Sequence, residues 1–348
     1  MNEQSSELES EGSSEIRDIS IIGAGPTGIF AAFQCGMNDL TCRLIDSMPQ
    51  AGGQLTALYP EKFIYDVAGF PRVTASQLIE TLMEQAEQFS PEYILESQVT
   101  SLQKNDDGTF TITTSTGDSY LSKAVIIAAG LGAFSPRKLD QLGDVSTLEG
   151  HAIHYSVKSI SDFEGKRVVV IGGGDSALDW AVTLLKVATS VTLVHRMKQF
   201  QAHGKTVADA MEASEEGKMK IFLNTELVGI DHYHREIQKL HFVQKPDHFS
   251  LQADVLLPLI GYKSDLGPIK EWGLELDGNK VKVGSDMKTS VEGIYAAGDV
   301  VSYPNKLYII QTGLGDATMA VRSSLGYIKP HEKIKHQFSS IKMASKSK

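Results

Sequence analysis

Cysteine is almost missing from this sequence. Cys35 and Cys42 are the only two among 348 residues, and their separation excludes a CxxC pair, a zinc knuckle and a disulfide framework. So few thiols are typical of a reducing compartment, which predicts a cytoplasmic protein. We expect both cysteines to serve as small, buried, apolar residues.

Long apolar runs and an excess of basic residues are missing as well. No run approaches the roughly 20 residues that cross a bilayer, so we expect no membrane partner. Lys and Arg number 33 against 43 Asp and Glu, and the net charge of −10 has the wrong sign for holding nucleic acid. The acidic, serine-containing stretch 1–15 is neither a signal nor a transit peptide and predicts a disordered tail.

Glycine clusters directly after an apolar run near the start of the chain. The run 19–22 leads into GAGPTG at 23–28, then into a helix-like stretch at 29–36 and a second apolar run at 42–45. The residues of this first glycine turn that we expect to contact a ligand are Gly23, Gly25, Pro26, Thr27 and Gly28. Such glycines permit a tight turn and the approach of a pyrophosphate to a helix N-terminus.

A second copy of the pattern follows the apolar run 167–171. GGGDSA at 172–177 precedes a helix-like stretch to about 187 and an apolar run at 191–194. The corresponding residues of this second glycine turn are Gly172, Gly174, Asp175, Ser176 and Ala177. A chance glycine turn is the alternative, but both copies lie between a predicted strand and a predicted helix, so two dinucleotide-binding units are predicted.

The residue that ends each second strand distinguishes the two ligands. Asp46 and His195 each follow the first glycine of their turn by 23 residues, at the position that faces the adenosine ribose. A carboxylate accepts hydrogen bonds from ribose hydroxyls and repels a 2′-phosphate, so Asp46 predicts FAD or NAD. His195 and Arg196 instead predict NADP(H), because arginine offers a fixed donor fork for phosphate. A solvated strand end is the alternative for this pair.

The chain between and after the turns predicts that one domain is inserted in the other. Alternating residues at 110–127 predict antiparallel strands that end at Ala128–Gly130, and the run 255–260 ends at Gly261. We expect an α/β fold of two Rossmann-like three-layer domains. Residues 16–130 and 262–330 form a discontinuous FAD domain, 131–261 an inserted NADP domain, and 331–348 a C-terminal extension over the flavin.

Five motifs in this order resemble the thioredoxin reductases, a family of flavoproteins. They are GAGPTG, GGQL at 52–55, GGGDSA, HR at 195–196 and AAGDV at 296–300. The resemblance implies FAD, NADP(H) and a homodimer. The CxxC of that family is absent, because His154–Val157 holds no cysteine, and disulfide exchange needs two thiols. The stretches 62–71 and 200–203 resemble the branch without the dithiol, the thioredoxin-reductase-like ferredoxin:NADP reductases.

The resemblance also implies roles for single residues. Asp46 binds the FAD ribose, Val99 lies beside the adenine, and Asp299 binds the ribityl chain. Gly53, Gln54 and Tyr59 lie near the ring end of FAD, while Phe134 and Ser340 cover the two flavin faces. Core packing is the alternative for Tyr59 and Phe134. His203 joins His195 and Arg196 at NADP(H), although Met197 and Gln201 replace arginines that the wider family often has there.

The implied reaction uses no acid, base or nucleophile of the protein. A hydride passes from NADPH to the flavin N5, and single electrons pass to ferredoxin. Ferredoxins are acidic, so Lys288, Lys306 or the lysine-rich tail 329–348 are expected at the docking surface, although a solvated terminus is equally consistent with that tail. The alternatives are another acceptor, such as a flavodoxin or a quinone, and a non-catalytic flavin redox sensor.

Overall fold

The computed structural model describes residues 15–333 and 339–346, with side chains except at 133–135, 140, 263, 264 and 344–346. The strands in chain order are β1 (Arg17–Ile22), β2 (Cys42–Ile45), β3 (Phe63–Ile64), β4 (Val73–Thr74), β5 (Glu92–Ile94), β6 (Val99–Lys104), β7 (Phe110–Thr114), β8 (Ser119–Ile127), β9 (Ala133–Pro136), β10 (Arg167–Ile171), β11 (Ser190–Val194), β12 (Met219–Phe222), β13 (Glu226–Tyr233), β14 (Glu236–Gln244), β15 (Asp247–Leu251), β16 (Val255–Pro258), β17 (Tyr262–Asp265), β18 (Leu276–Asp277), β19 (Lys280–Lys282), β20 (Ile294–Ala296) and β21 (Val301–Ser302).

Seven α-helices lie among the described residues. They are α1 (Pro26–Met37), α2 (Gln54–Leu58), α3 (Ala75–Glu87), α4 (Asp175–Leu184), α5 (Gly204–Glu215), α6 (Ile310–Ile328) and α7 (Ser339–Lys346). No helix in the described ranges is long and apolar enough to cross a membrane.

The first unit consists of the described residues up to Ala133 and from Ser264 onward. Its main sheet has the order β5-β2-β1-β8-β7-β6, and β20 also pairs with β8. β5, β2, β1, β8 and β20 are parallel, whereas β6 and β7 extend the sheet as an antiparallel meander. α1 packs against α3 and α6 beside this sheet. Because parallel strands are buried on both faces, the central strands are continuous apolar runs.

The second unit consists of Phe134–Lys263. Its parallel sheet has the order β12-β11-β10-β16, and the antiparallel strands β13, β14 and β15 form a separate sheet. β10 and β11 share one core cluster with the antiparallel sheet, in which Val169, Leu240 and Phe242 are buried. β9 and β17 pair with each other where the chain passes between the units.

The predicted fold class is confirmed. In each of the two α/β units, a strand, a glycine turn and a helix follow one another along the chain, and the strand pairs with parallel neighbours. The predicted strands 42–45 and 167–171 agree with the structure. The helix expected to reach about residue 187 ends at Leu184, because Leu185 to Val187 form a turn that returns the chain to Gly165.

Candidate functional site

The first glycine turn brings the backbone of α1 against the end of β1. A Cβ on Gly28 would lie 1.9 Å from the carbonyl oxygen of Gly23, and Gly23 itself has a φ of +110°. Gly25 differs, because a Cβ there would meet no atom of the described protein within 4 Å. Gly25 is the N-cap of α1, and Pro26 occupies the first turn. The open side of this turn therefore presents a helix N-terminus, which favours an anion.

Asp46 is held against this turn by its own hydrogen bonds. Its Oδ2 accepts from the backbone N–H of Ala24 at 2.6 Å, and its Oδ1 accepts from that of Met48 at 2.9 Å. Each carboxylate oxygen keeps a lone pair free for another donor. The structure thus orients Asp46 beside the glycine turn, where it can accept hydrogen bonds from hydroxyl groups.

The segment around α2 packs on the other side of the same turn. The backbone N–H of Gly52 donates to the carbonyl of Ala24 at 2.7 Å, and a Cβ on Gly53 would lie 3.1 Å from the Cα of Gly25. The side chain of Gln54 faces Gly130, where a Cβ would lie 3.8 Å from its Nε2. The structure therefore brings Gly53 and Gln54 to the turn.

Asp299 and the start of α6 converge on α1. A Cβ on Gly298 would lie 2.8 Å from Thr27 Oγ1, and a Cβ on Gly313 would lie 2.5 Å from the same atom. Burial and the nearby Asp299 raise the pKa of Tyr59. Burial raises the pKa of the Asp299 carboxyl. Within residues 15–333 and 339–346 this carboxylate makes no hydrogen bond, so it is available to a ligand.

The second glycine turn is built around the ring of His195. A Cβ on Gly173 would lie 2.1 Å from that ring, which stacks on Phe200 and whose Nε2 lies 3.1 Å from the carbonyl oxygen of Gln199. Burial lowers the pKa of His195, so the ring is neutral near pH 7. The backbone N–H of Gln201 donates to the carbonyl of Gly173 at 2.7 Å. His195 thus fastens the loop 195–203 to the turn and is itself only 7% exposed.

The N-terminus of α4 lies at this turn. Gly174 is the N-cap, Ser176 is exposed, and Ala177 is buried against Gly172, where a Cβ would lie 2.6 Å from the Cβ of Ala177. Asp175 accepts the backbone N–H of His203 at 2.9 Å and lies 3.0 Å from its Nδ1.

Burial acts to raise the pKa of Asp175, but the hydrogen bonds from His203 outweigh it, so that the pKa is lowered.

The basic residues of this loop face solvent. Arg196 and Lys198 are exposed, and in the part of the chain that the structure describes no hydrogen bond or ion pair engages either one. His203 is 88% exposed. The side chains of Arg196 and Lys198 are free to turn toward an anion at the second glycine turn, whereas the ring of His203 is held by Asp175.

Other predicted site residues lie elsewhere or lack a described side chain. Val99 is buried at the start of β6. Ser340 is exposed on α7. Lys342 of the same helix pairs with Asp39, which follows the C-terminal end of α1, whereas the glycine turn lies at the N-terminal end of α1. Phe134 belongs to β9, and its side chain lies outside the described residues.

The prediction that Lys306 lies at a docking surface is wrong, and the sequence analysis did not identify Asp316 as its partner. Lys306 is only 2% exposed at its side chain and pairs with Asp316 at 2.5 Å. Lys288 is 58% exposed and pairs with Asp286 at 3.1 Å. Nothing in the local sequence around 303–316 indicates a buried ion pair.

Both cysteines are buried and free, as predicted, Cys35 in α1 and Cys42 in β2. Burial raises the pKa of Cys35 well above its ordinary value. A buried thiol with a raised pKa is a poor nucleophile. The described residues contain no cluster of three or more His, Cys, Asp or Glu side chains that could hold a metal ion.

These features define a class of protein with two glycine-rich nucleotide-binding units. The chain belongs to the pyridine nucleotide-disulphide oxidoreductase family, which matches residues 17–324. It is 46% identical over 328 residues to the Ferredoxin–NADP reductase of Thermus thermophilus, covering 94% of this chain and 97% of that relative. It is 45% identical over 315 residues to the Ferredoxin–NADP reductase of Geobacillus kaustophilus, covering 90% and 94%.

Solved structures of thioredoxin reductases share the fold. The T. acidophilum enzyme has a TM-score of 0.77 at 25% identity and covers 91% of this chain and 99% of its own. The Lactococcus lactis enzyme has a TM-score of 0.76 at 23% identity, covering 90% and 99%. The second likeness shows the fold alone.

The contact of Thr27 with Gly313 leads to a first prediction. Gly313→Ala should lower the free energy of unfolding by about 1–3 kcal/mol, because the new methyl group overlaps the stiff side chain of Thr27. Gly326→Ala on the same helix is the control, since a Cβ there meets nothing within 4 Å, and it should raise stability by about 0.5–1 kcal/mol. Urea unfolding of both variants measures the difference, and equal stabilities would contradict the packing described here.

Proposed function

We propose that this protein is an FAD-dependent ferredoxin:NADP(+) reductase, which transfers electrons between NADPH and ferredoxin. The observation that carries the proposal is the pair of glycine turns with opposite charges beside them. Asp46 is fixed next to the first turn, whereas Arg196 and Lys198 are exposed next to the second. One turn is therefore suited to ribose hydroxyls and the other to an additional phosphate.

The first unit fits FAD. Gly25 leaves open space at the N-terminus of α1 for a pyrophosphate, and Asp46 has free lone pairs for the ribose. The partly buried Asp299 carboxylate makes no hydrogen bond among the described residues, and hydroxyl groups of the ribityl chain would donate to it. Gln54 and Tyr59 flank this region. We assign residues 16–130 and 262–330 to this domain and 331–348, with Ser340, to a C-terminal extension.

The proposed NADP domain, 131–261, fits NADP(H). Gly174 leaves room for the pyrophosphate at the N-terminus of α4, where the nearest atom to an added Cβ is the carbonyl oxygen of Gln201 at 3.8 Å. Arg196, Lys198 and His203 are the proposed donors to the 2′-phosphate. His195 shapes the loop beneath them rather than contacting the phosphate itself.

The acceptor follows from the missing thiols and from the relatives. FAD, when bound, supplies the change from two-electron to one-electron transfer. A disulfide acceptor would need a reactive dithiol, and the two cysteines of this chain are buried in the first unit. The relatives named Ferredoxin–NADP reductase cover at least 90% of this chain, which supports ferredoxin over flavodoxin or quinone. We further assign the protein to the cytoplasm as a homodimer.

Gly25→Ala tests the FAD site. Its φ of −75° accommodates alanine and no described protein atom blocks the methyl group, so the fold should be unchanged within about 0.5 kcal/mol. The same methyl group narrows the approach to the backbone N–H groups. The dissociation constant for FAD, titrated into the apo-protein, should rise about tenfold or more.

Gly326→Ala, near the C-terminal end of α6, is the matched glycine control. It should bind FAD as tightly as the parent protein. Unchanged affinity in Gly25→Ala would show that the pyrophosphate does not lie at this turn.

Arg196→Glu tests the nucleotide preference. We expect kcat/KM for NADPH to fall about 30-fold or more, because a charge-assisted hydrogen bond is lost and a repulsive charge replaces it. The value for NADH should change less than about threefold, since NADH lacks the 2′-phosphate. Lys186→Glu, an exposed charge reversal after the C-terminus of α4, should leave both values unchanged. Parallel losses for the two nucleotides in Arg196→Glu would contradict the assignment.

The decisive experiment compares acceptors for the purified protein loaded with FAD. NADPH oxidation is followed with ferredoxin as mediator and cytochrome c as final acceptor, and in parallel with thioredoxin. We expect turnover that requires ferredoxin, none with thioredoxin, and a rate that falls as salt rises. Reduction of the flavin by NADPH without turnover through ferredoxin would exclude the proposed acceptor while keeping both cofactors.

A further inference from the structure

A buried ion pair contacts the turn formed by Gly298 and Asp299. Lys306 Nζ and Asp316 Oδ2 are 2.5 Å apart, and the two side chains are 2% and 6% exposed. Burying two charges costs desolvation energy, and well-packed apolar residues of similar volume often serve stability as well or better. Stability of the fold alone is therefore a weak explanation for this pair.

Asp316 connects three segments of the first unit. From its place on α6 its carboxylate accepts the backbone N–H of Gly298 at 3.1 Å through Oδ2. Its Oδ1 accepts the hydroxyl of Tyr303 at 2.9 Å. Lys306 in turn lies over the ring of Tyr303, 5.3 Å from its centroid, and 3.5 Å from Thr312 Oγ1. The network ties the start of α6 and the loop before it to the end of β20.

The turn formed by Gly298 and Asp299 leaves no room for a side chain at Gly298. Gly298 has a φ of +84°, and an added Cβ would lie 2.8 Å from Thr27 Oγ1. On its other side, Lys280 Nζ donates to the backbone carbonyl of Asp299. The backbone of Gly298 and Asp299 is thus anchored at both ends by charged side chains, whereas the Asp299 carboxylate makes no hydrogen bond among the described residues and interacts with Lys280 and Lys306 through charge alone.

We infer that Lys306 and Asp316 are positioning residues, which hold the Gly298–Asp299 turn so that the Asp299 carboxylate is presented to FAD. The inference rests on the proposed function for the presence of FAD and adds the residues that orient its contact. Neither residue needs to touch the cofactor. The Asp316 carboxylate supplies the acceptor for the backbone N–H of Gly298, and its contact with Lys306 holds that carboxylate in place.

The test removes the pair without leaving a buried charge. The double variant Lys306→Met with Asp316→Leu replaces both by apolar residues, so the apo-protein should still unfold cooperatively, at a urea concentration lowered only by the loss of the acceptor for the Gly298 N–H and the Tyr303 hydroxyl. Its dissociation constant for FAD should nevertheless rise about ten- to 100-fold. Lys282→Met with Glu275→Leu is the control, because it removes an exposed 2.6 Å ion pair of the same unit, and it should keep the parent affinity.

A thermodynamic cycle separates positioning from a general effect on the fold. Asp299→Asn should itself weaken FAD binding. If Lys306 and Asp316 act through Asp299, adding their double variant to Asp299→Asn should weaken binding by less than threefold further. Fully additive losses, or parent affinity in the Lys306→Met, Asp316→Leu variant, would overturn the inference.

Tyr303→Phe provides a second route if the double variant does not fold. It keeps both charges and removes one hydrogen bond to Asp316. It should weaken FAD binding about three- to tenfold, again without additivity in the Asp299→Asn background. Parent affinity in this variant would count against the inference. A parent protein that binds no FAD at all would instead refute the proposed function.

Discussion

The close approach of backbone to backbone at the two glycine turns is the constraint on which the rest of the structure depends. At Gly28 a single methyl group would lie 1.9 Å from the carbonyl of Gly23, and at Gly173 it would enter the ring of His195. Because these positions carry no side chain, each helix begins directly against the end of its first strand. The N-terminal N–H groups are then left exposed at the carboxyl edge of a parallel sheet, where open α/β sheets bind ligands.

The same backbone arrangement serves two ligands because the chain differs at the end of the second strand. In the first unit, Asp46 turns back to accept the N–H of Ala24, so its charge stays at the turn. In the second unit His195 turns inward and is neutral, which leaves the neighbouring Arg196 exposed. In the proposed function, selectivity between the nucleotides arises from one inward and one outward side chain, while the fold of the glycine turns is shared.

Local patterns in the sequence predicted the elements that depend on local physics. The strands 42–45 and 167–171 and both glycine turns were predicted correctly, because continuous apolar runs and glycine spacing are properties of neighbouring residues. The sequence did not reveal that His195 is buried or that Lys306 is paired. Burial of His195 depends on Gly173, 22 residues away, and pairing of Lys306 depends on the fold of α6 across the loop. Such contacts arise from tertiary packing, which no local period encodes.

Sharing the thioredoxin reductase fold does not give this chain the thioredoxin reductase reaction, because reaction type is determined by the site. Disulfide reduction needs a thiolate near the flavin, but His154–Val157 contains no cysteine. Cys35 and Cys42 cannot substitute, since burial holds Cys35 in its thiol form and both lie within the core of the first unit. Without a thiol relay, electrons have to leave the flavin directly, and an acceptor that takes single electrons is then the chemically suited partner. The buried network behind Asp299 fits this requirement, because direct transfer depends on a cofactor held in one fixed position.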